Sequence, residues 1–292
     1  MRVLVVWCGL LGSSLAFGQS DPWKAVVDNL GRSGKEQPGE VYKVGLPRGD
    51  MHVTVDGIAI KPALALGSWV AFKKIGAQTM VMGDLVLSED EVEPVMLKLQ
   101  QGGIEQTALH NHVLHESPRV MYMHISGHGD AAKLATTLHD ALALTATPPA
   151  ATPPAGPTEL GFDADAVGAE LGRKGTVNGG VLQFSVPRGE KISEGGMEIP
   201  PTMGTATAIN FQPTGNHRAA ITGDFVLLGS EVNPVIRALR EGGIQVTAIH
   251  SHMLTEEPRL FFMHFWANDD AVKLAIALHG ALEKTNSAPA GK

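Results

Sequence analysis

The spacing of hydrophobic positions changes several times along the chain, and each change predicts an element. Short amphipathic stretches at 23–30 and 164–171 predict a helix near the start of each half. Residues 51–60 alternate polar and apolar side chains, as a half-buried strand does. The other predicted strands are apolar runs at 41–46, 79–87, 181–186 and 219–228. Strands therefore follow the first helix in both halves.

A second helix is predicted after the strand at 79–87. Apolar side chains recur there at helical spacing, Asp90 and Ser230 occupy equivalent N-cap positions, and Gly102-Gly103 ends the first helix. Two strands at 104–114 and 119–126 come next, joined by a tight turn, and a last helix begins near Asp130. This order predicts an α+β fold in which a mainly antiparallel sheet is flanked by helices.

The two halves are copies of one unit. Gly83-Asp84 matches Gly223-Asp224, and the register then continues without a gap through Pro118-Arg119 and Pro258-Arg259. The unit is far longer than a solenoid repeat, which indicates two tandem homologous domains. The predicted boundaries are a first repeat at 21–144, a linker rich in Pro, Ala and Thr at 145–157, and a second repeat at 158–285.

Composition and the N-terminus predict an exported protein. Arg2, the apolar run at 3–15 and the small residues of Ala16-Phe17-Gly18 predict a signal peptide at 1–18. The only cysteine, Cys8, lies within it and comes too early in the apolar run for a lipid anchor. We therefore expect a periplasmic or extracellular protein without a transmembrane segment in the mature chain. A net charge of −7 without a basic run argues against nucleic acid as a partner.

One histidine pattern occurs in both repeats at the same position. It consists of His110, His112, Glu116 and His124 in the first repeat. The second repeat has the same residue types at the same spacing, namely His250, His252, Glu256 and His264. Residues two apart on a strand share a face, and the antiparallel return strand brings the third histidine within reach. A slip of one residue in that pairing would place the third histidine on the opposite face.

Three imidazoles beside a carboxylate predict a divalent metal site in each repeat. This donor set suits Zn²⁺, Fe²⁺ or Mn²⁺, with Glu116 and Glu256 as a fourth ligand or a general base. The sequence leaves open whether such a site is catalytic. Two alternatives use no metal: a binding module for a small molecule or an envelope ligand, and a structural protein. In each case the two repeats are expected to pack as a pseudo-dimer.

Four further residues are candidates for supporting roles. Arg119 and Arg259 follow the glutamates by three residues, where they would bind an anion beside the metal or, as we favour, form an ion pair with the glutamate. Asp84 and Asp224 follow a glycine within a predicted strand. They would either orient a ligand histidine through a hydrogen bond or cap a turn, and the sequence does not distinguish these roles.

Long segments of the chain resemble a known family. The segments 83–87, 107–114, 118–130 and 250–268 are similar to the LppY/LpqO family of bacterial envelope lipoproteins, a family defined as a domain of unknown function. The resemblance covers nearly the whole mature chain and implies export and a duplicated unit. It implies no reaction or catalytic residue. This chain departs from the lipoprotein description because it has no convincing lipid-attachment motif.

Overall fold

The computed structural model describes residues 21–149 and 159–289, which include almost all of both predicted repeats. The signal peptide predicted at 1–18 lies outside the described residues, as do residues 150–157 of the predicted linker. Within the described ranges, no helix is long and apolar enough to cross a membrane.

The first repeat contains four helices and nine strands. In chain order they are α1 (Lys24–Leu30), β1 (Lys35–Gln37), β2 (Val41–Pro47), β3 (Thr54–Val55), β4 (Ile58–Ala59), α2 (Pro62–Ala65), β5 (Gly67–Ile75), β6 (Gln78–Ser88), α3 (Glu89–Gln101), β7 (Glu105–His110), β8 (Glu116–Ser117), β9 (Val120–Gly129) and α4 (Ala131–Leu142).

The second repeat has the same order of elements, with a 3₁₀ turn (Pro201–Met203) in the place of α2. Its elements are α5 (Ala164–Leu171), β10 (Thr176–Asn178), β11 (Val181–Pro187), β12 (Ile192–Glu194), β13 (Met197–Ile199), β14 (Ala206–Gly215), β15 (Arg218–Leu228), α6 (Gly229–Glu241), β16 (Gln245–His250), β17 (Glu256–Glu257), β18 (Leu260–Asp270) and α7 (Ala271–Leu282).

Each repeat is built on one antiparallel six-stranded sheet. The strand order is β1-β2-β5-β6-β9-β7 in the first repeat and β10-β11-β14-β15-β18-β16 in the second. Three short strands form a small additional sheet in each repeat, β4-β3-β8 and β13-β12-β17. The predicted α+β class, with two tandem domains of antiparallel strands and flanking helices, is confirmed.

Helices cover one face of each six-stranded sheet. In the first repeat, Val26 of α1, Leu99 of α3 and Leu138 of α4 pack with Val70 and Met123 of the sheet in one buried cluster. An equivalent cluster in the second repeat joins α5, α6 and α7 to their own sheet. Burial of these apolar faces is the main stabilising contribution to each repeat.

The uncovered faces of the two sheets pack against each other. Two apolar clusters contain side chains from both repeats, one with Val86 and Tyr122 beside Trp266, the other with Met82 beside Phe262. Hydrogen bonds between the repeats are also duplicated: Lys43 donates to the Thr202 carbonyl, and its counterpart Gln183 donates to that of Ala63. The described chain therefore has four layers, helices–sheet–sheet–helices, with the repeats related by a pseudo-twofold axis.

Some elements differ from the sequence-based expectation. Residues 51–60 form the short hairpin β3–β4, because Asp56 and Gly57 take positive φ angles and turn the chain. Helices α3 and α6 start one residue before the predicted N-caps, so Ser88 and Leu228 are the N-cap residues. The backbone N–H groups of Ser88 and Leu228 donate to the side chains of Glu91 and Glu231. The predicted strand at 104–114 ends at His110.

A candidate metal centre between the two sheets

A β-bulge in β7 sets the face on which His110 lies. Glu105 and Gln106 pair with Ser126 and Ile125, but after an extra residue, Thr107, Ala108 pairs with His124. If the pairing of Glu105 and Gln106 continued without the bulge, the side chain of His110 would lie on the helix-covered face of the sheet. With the bulge, His110 and His124 lie on the same face as diagonal neighbours. The second repeat has the same bulge between Val246 and Ala248, and Ala248 pairs with His264.

The middle histidine of each triad lies just beyond the strand. His112 and His252 belong to the loops that follow β7 and β16, rather than to strands as predicted. The loop of the first repeat is held across the interface, because Thr247 Oγ1 donates to the His112 carbonyl at 2.6 Å. The His112 ring also stacks on Tyr122, with ring centroids 3.2 Å apart.

The six histidines form a single cluster in which each ring faces one from the other repeat. The ring centroids are 3.6 Å apart for His110 and His250, 3.8 Å for His112 and His264, and 3.6 Å for His124 and His252. The sequence predicts one site in each repeat. The structure instead brings both triads together at the pseudo-twofold axis, because both lie on the sheet faces that pack against each other.

Hydrogen bonds define the tautomers of two rings. His110 Nδ1 lies 3.2 Å from the Asn111 carbonyl, and His264 Nδ1 lies 2.8 Å from that of Gly223. A carbonyl only accepts, so each Nδ1 carries the proton and each Nε2 has a free lone pair. Both Nε2 atoms are buried and have no hydrogen-bond partner. His250 Nε2 and His252 Nε2 lie 2.8 Å apart.

The ring nitrogens form two overlapping sets that are compact enough to hold a metal ion. One set is the predicted triad His110, His112 and His124. The other contains the second triad together with His110, and within each set the ligand atoms lie within 4.8 Å of one another. His110 therefore belongs to both sets, and the larger one takes ligands from both repeats.

Asp84 and Asp224 lie beside the histidines on the same sheet faces. Asp84 pairs across the strands with His124, and Asp224 pairs with His264. Asp84 Oδ1 is 3.9 Å from His124 Nε2, whereas Asp224 lies 3.7 Å from His252 Nε2 and 4.0 Å from His264 Nε2. Oδ1 of each aspartate is buried without a hydrogen-bond partner. Both carboxylates thus approach the nitrogens on the side where a metal would bind.

Burial keeps the whole cluster close to neutral. It lowers the pKa of all six histidines below the ordinary value, to about 4 for His110 and about 3 for His264, and neighbouring rings lower the pKa of the five other than His110 further. Burial raises the pKa of Asp84 to about 7, opposed by the positive charge of Lys43, and raises that of Asp224 well above its ordinary value. Neutral imidazoles are the form that binds metal.

Glu116 and Glu256 begin the short strands β8 and β17, between the two long strands of each hairpin, and belong to neither set of ligand atoms. Oε1 of Glu116 accepts from the Val120 N–H at 3.1 Å, and Oε1 of Glu256 accepts from the Leu260 N–H at 2.8 Å. These bonds tie each loop to the start of the return strand. A general-base role for the glutamates stays a prediction.

The two arginines differ between the repeats. Arg259 Nη1 is 3.2 Å from Glu256 Oε2, the ion pair that the sequence analysis favours. Arg119 is exposed and lies 3.9 Å from Glu89 instead. An anion-binding role for either arginine remains a prediction.

Lys43 is a neighbour of the cluster that the sequence analysis did not single out. Its ammonium lies 3.9 Å from the centre of the Trp69 ring, and it interacts electrostatically with Asp84. Burial lowers the pKa of Lys43 to about 8. The counterpart in the second repeat is the uncharged Gln183, so an alignment of the two repeats could have identified the difference.

A family model matches both repeats, at residues 24–144 and 165–284. The chain belongs to the family described as Domain of Unknown Function (DUF1259), and it carries that domain in two tandem copies. The LppY/LpqO name is not part of this match and stays an expectation from the sequence resemblance. A comparison with curated proteins found no match.

Two solved structures show a weak likeness. One is the trimeric bacterial microcompartment shell protein PduB, at 13% identity and a TM-score of 0.23, covering 88% of this chain and 96% of that chain. The other is EtuB from Clostridium kluyveri, at 8% identity and a TM-score of 0.20, covering 86% and 91%. At such TM-scores the likeness supports no inference about fold or assembly.

Proposed function

We propose that this protein binds a divalent transition metal at a centre shared by its two repeats. The observation that carries the proposal is a group of seven buried side-chain atoms of the histidine cluster and its two aspartates that have no hydrogen-bond partner. They are Asp84 Oδ1, His110 Nε2, His112 Nε2, His124 Nε2, Asp224 Oδ1, His250 Nδ1 and His264 Nε2. Each such atom costs about 1–3 kcal/mol of stability, and a bound cation would offset that cost.

The donor atoms indicate which metals fit. Six imidazoles with two carboxylates nearby suit Zn²⁺, Fe²⁺ or Mn²⁺, the ions expected from the sequence, whereas Ca²⁺ and Mg²⁺ prefer oxygen ligands throughout. The 2.8 Å separation of His250 Nε2 and His252 Nε2 also resembles that of two ligands on one ion, since bonds of about 2.0–2.1 Å place neighbouring ligand atoms about 3 Å apart.

An organic ligand fits the cluster less well than a cation. The facing rings are 3.6–3.8 Å apart, which is van der Waals contact, so no substrate-sized molecule fits between them without parting the repeats. A structural role without metal would leave the lone pairs described above unsatisfied.

Metal analysis of the purified full-length protein tests the proposal. We expect at least one equivalent of transition metal per chain by inductively coupled plasma mass spectrometry, and its loss when His110 and His250 are both replaced by Ala. His128→Ala is the matched control, because His128 is an exposed histidine of β9 outside the cluster. Circular dichroism checks that each variant is folded.

A protein without affinity for these metals would contradict the proposal. Protein that holds no metal as purified, takes up none on incubation with Zn²⁺, Fe²⁺ or Mn²⁺, and keeps the same melting temperature with and without chelator would exclude a metal centre.

We also propose that the protein is exported to the periplasm or beyond, on the basis of the charged and apolar pattern at 2–18. N-terminal sequencing of the protein recovered from cell fractions tests this. Cleavage before Gln19 supports export, whereas protein that retains Met1 or Arg2 in the cytoplasmic fraction contradicts it.

A further inference from the structure

The two sets of ligand atoms are not equivalent, although the repeats are related by a pseudo-twofold axis. The second triad gains a fourth nitrogen from His110 of the first repeat. Within the described residues the symmetric arrangement, in which the first triad gains His250, does not occur. Four nitrogens match the four-coordinate tetrahedral geometry that Zn²⁺ adopts in proteins, and three leave one position to be filled.

His110 can serve only one of the two sets. Its Nδ1 donates to the Asn111 carbonyl, so Nε2 is its single lone pair. If His110 completes the larger set, then His112 and His124 remain as two nitrogens beside Asp84. The same residue that completes one site therefore depletes the other.

The charged residues nearby also differ between the two sets of ligand atoms. Asp224 lies within 4.0 Å of two nitrogens of the larger set, whereas Asp84 lies within that distance of one nitrogen of the smaller set. Lys43 adds positive charge beside Asp84, and Gln183 occupies the equivalent position next to the other half. Lys43 repels a dication on the Asp84 side, whereas a dication bound beside Asp224 would favour the ionised form of that carboxyl group without an opposing cation.

From this asymmetry we infer that one metal ion binds tightly per chain, on His110, His250, His252 and His264. The site spans the two repeats: three ligands come from the second, and one from the first. His112 and His124 are not ligands of this ion. The inference rests on the proposed metal centre and specifies which of its histidines bind.

The pseudo-twofold axis supplies matched variants for the test. His252→Ala and His112→Ala remove equivalent residues of the two triads, as do His264→Ala and His124→Ala. The probe is Zn²⁺ titrated into the metal-free full chain in competition with a chromophoric chelator. Because His→Ala in a buried cluster can impair folding, His252→Gln and His112→Gln form a second pair, and circular dichroism with thermal unfolding verifies the fold of each.

We expect one tight Zn²⁺ per wild-type chain. Replacement of His252 or His264 should weaken it more than about 100-fold. Replacement of His112 or His124, which pack on ligand rings without binding the ion, should weaken it by no more than the 10–100-fold that loss of a supporting contact around a metal costs. His110→Ala should behave like the His252 variants although His110 belongs to the first repeat.

Two results would overturn the inference while leaving the metal centre in place: two equally tight ions per wild-type chain, or equal losses in the His112 and His252 variants. Wild-type protein that binds none of Zn²⁺, Fe²⁺ and Mn²⁺ would instead overturn the proposed function itself.

Discussion

Arg48 and Arg188 are buried arginines whose donors are all satisfied by groups of their own repeat. Arg48 is 1% exposed; it forms ion pairs with Asp50 and Glu91 at 2.7 Å and donates to the Val86 carbonyl at 2.7 Å. Glu91 also accepts from the backbone N–H groups of Ser88 and Ala146. The network therefore joins the end of β2, the start of α3 and the chain that follows α4.

Replacing Arg48 by Met should lower the free energy of unfolding by about 3–5 kcal/mol, because it leaves Asp50 and Glu91 as carboxylates without their cation. Urea unfolding of the metal-free protein measures this. Lys24→Met is the control, since the pair of Lys24 with Asp28 is largely exposed and contributes about 0–1 kcal/mol. Similar losses in both variants would show that the buried network is no more stabilising than a surface ion pair.

At the scale of elements, the strands that carry the site are held in place by close backbone contact. Gly223 of β15 lies so near β14 that a Cβ atom at this position would lie 2.0 Å from the Ala208 carbonyl oxygen. The carbonyl of Gly223 accepts the hydrogen bond from His264, so this contact also orients a candidate ligand.

Gly223→Ala should therefore lower the free energy of unfolding by about 1–3 kcal/mol, since β15 must move away from β14. It should also weaken metal binding. Gly45→Ala is the matched control, because Gly45 also lies within a strand and a Cβ atom there meets nothing within 4 Å. Thermal unfolding and Zn²⁺ titration measure the two effects. A Gly223 variant as stable as the Gly45 variant would show that β14 and β15 adapt without cost.

Most elements could be predicted from hydrophobic spacing, because a face buried against helices leaves a regular pattern. The strand pairing next to the histidines could not. Thr107 and Thr247, the extra residues of the two bulges, are β-branched residues typical of ordinary strands, so nothing local marks them. The hairpin at β3–β4 was missed for a related reason, since residues on both sides of its turn continue the same alternation.

At the scale of the whole molecule, the meeting of the two triads was beyond sequence-based prediction. Periodicity indicates that three histidines share a face, but it does not indicate which layer covers that face. Here the covering layer is the other copy of the same sheet, as the two apolar clusters with side chains from both repeats show. The predicted pseudo-dimer packing is consistent with the contact between the two sheets, although the sequence predicted a separate site in each repeat.

Placing six neutral histidines at this interface should make the metal-free protein sensitive to acid. Their pKa values are lowered in the folded state, so the unfolded chain binds more protons once the pH falls below about 6.5, and acid favours unfolding. The raised pKa of Asp84 acts in the opposite direction between about pH 4 and about pH 7, and the raised pKa of Asp224 also acts in that direction. The six histidines outnumber the two aspartates, so the free energy of unfolding should fall with pH.

Urea unfolding in excess chelator between about pH 7 and about pH 5 measures this dependence. Each proton of difference contributes about 1.4 kcal/mol per pH unit, and His264→Phe should reduce the slope by about that amount, whereas His128→Ala should not. Stability that stays constant or rises on acidification would contradict the neutral state of the cluster.

The position of the histidines between two sheets also bears on how fast an ion could be exchanged. His110 and His250 are partly exposed, whereas His252 and His264 are buried. An ion bound on these four residues therefore faces solvent on the side of the His110–His250 pair while the repeats remain together. A chelator can reach the ion from that side without separation of the sheets, so loss of metal should become faster as the chelator concentration rises.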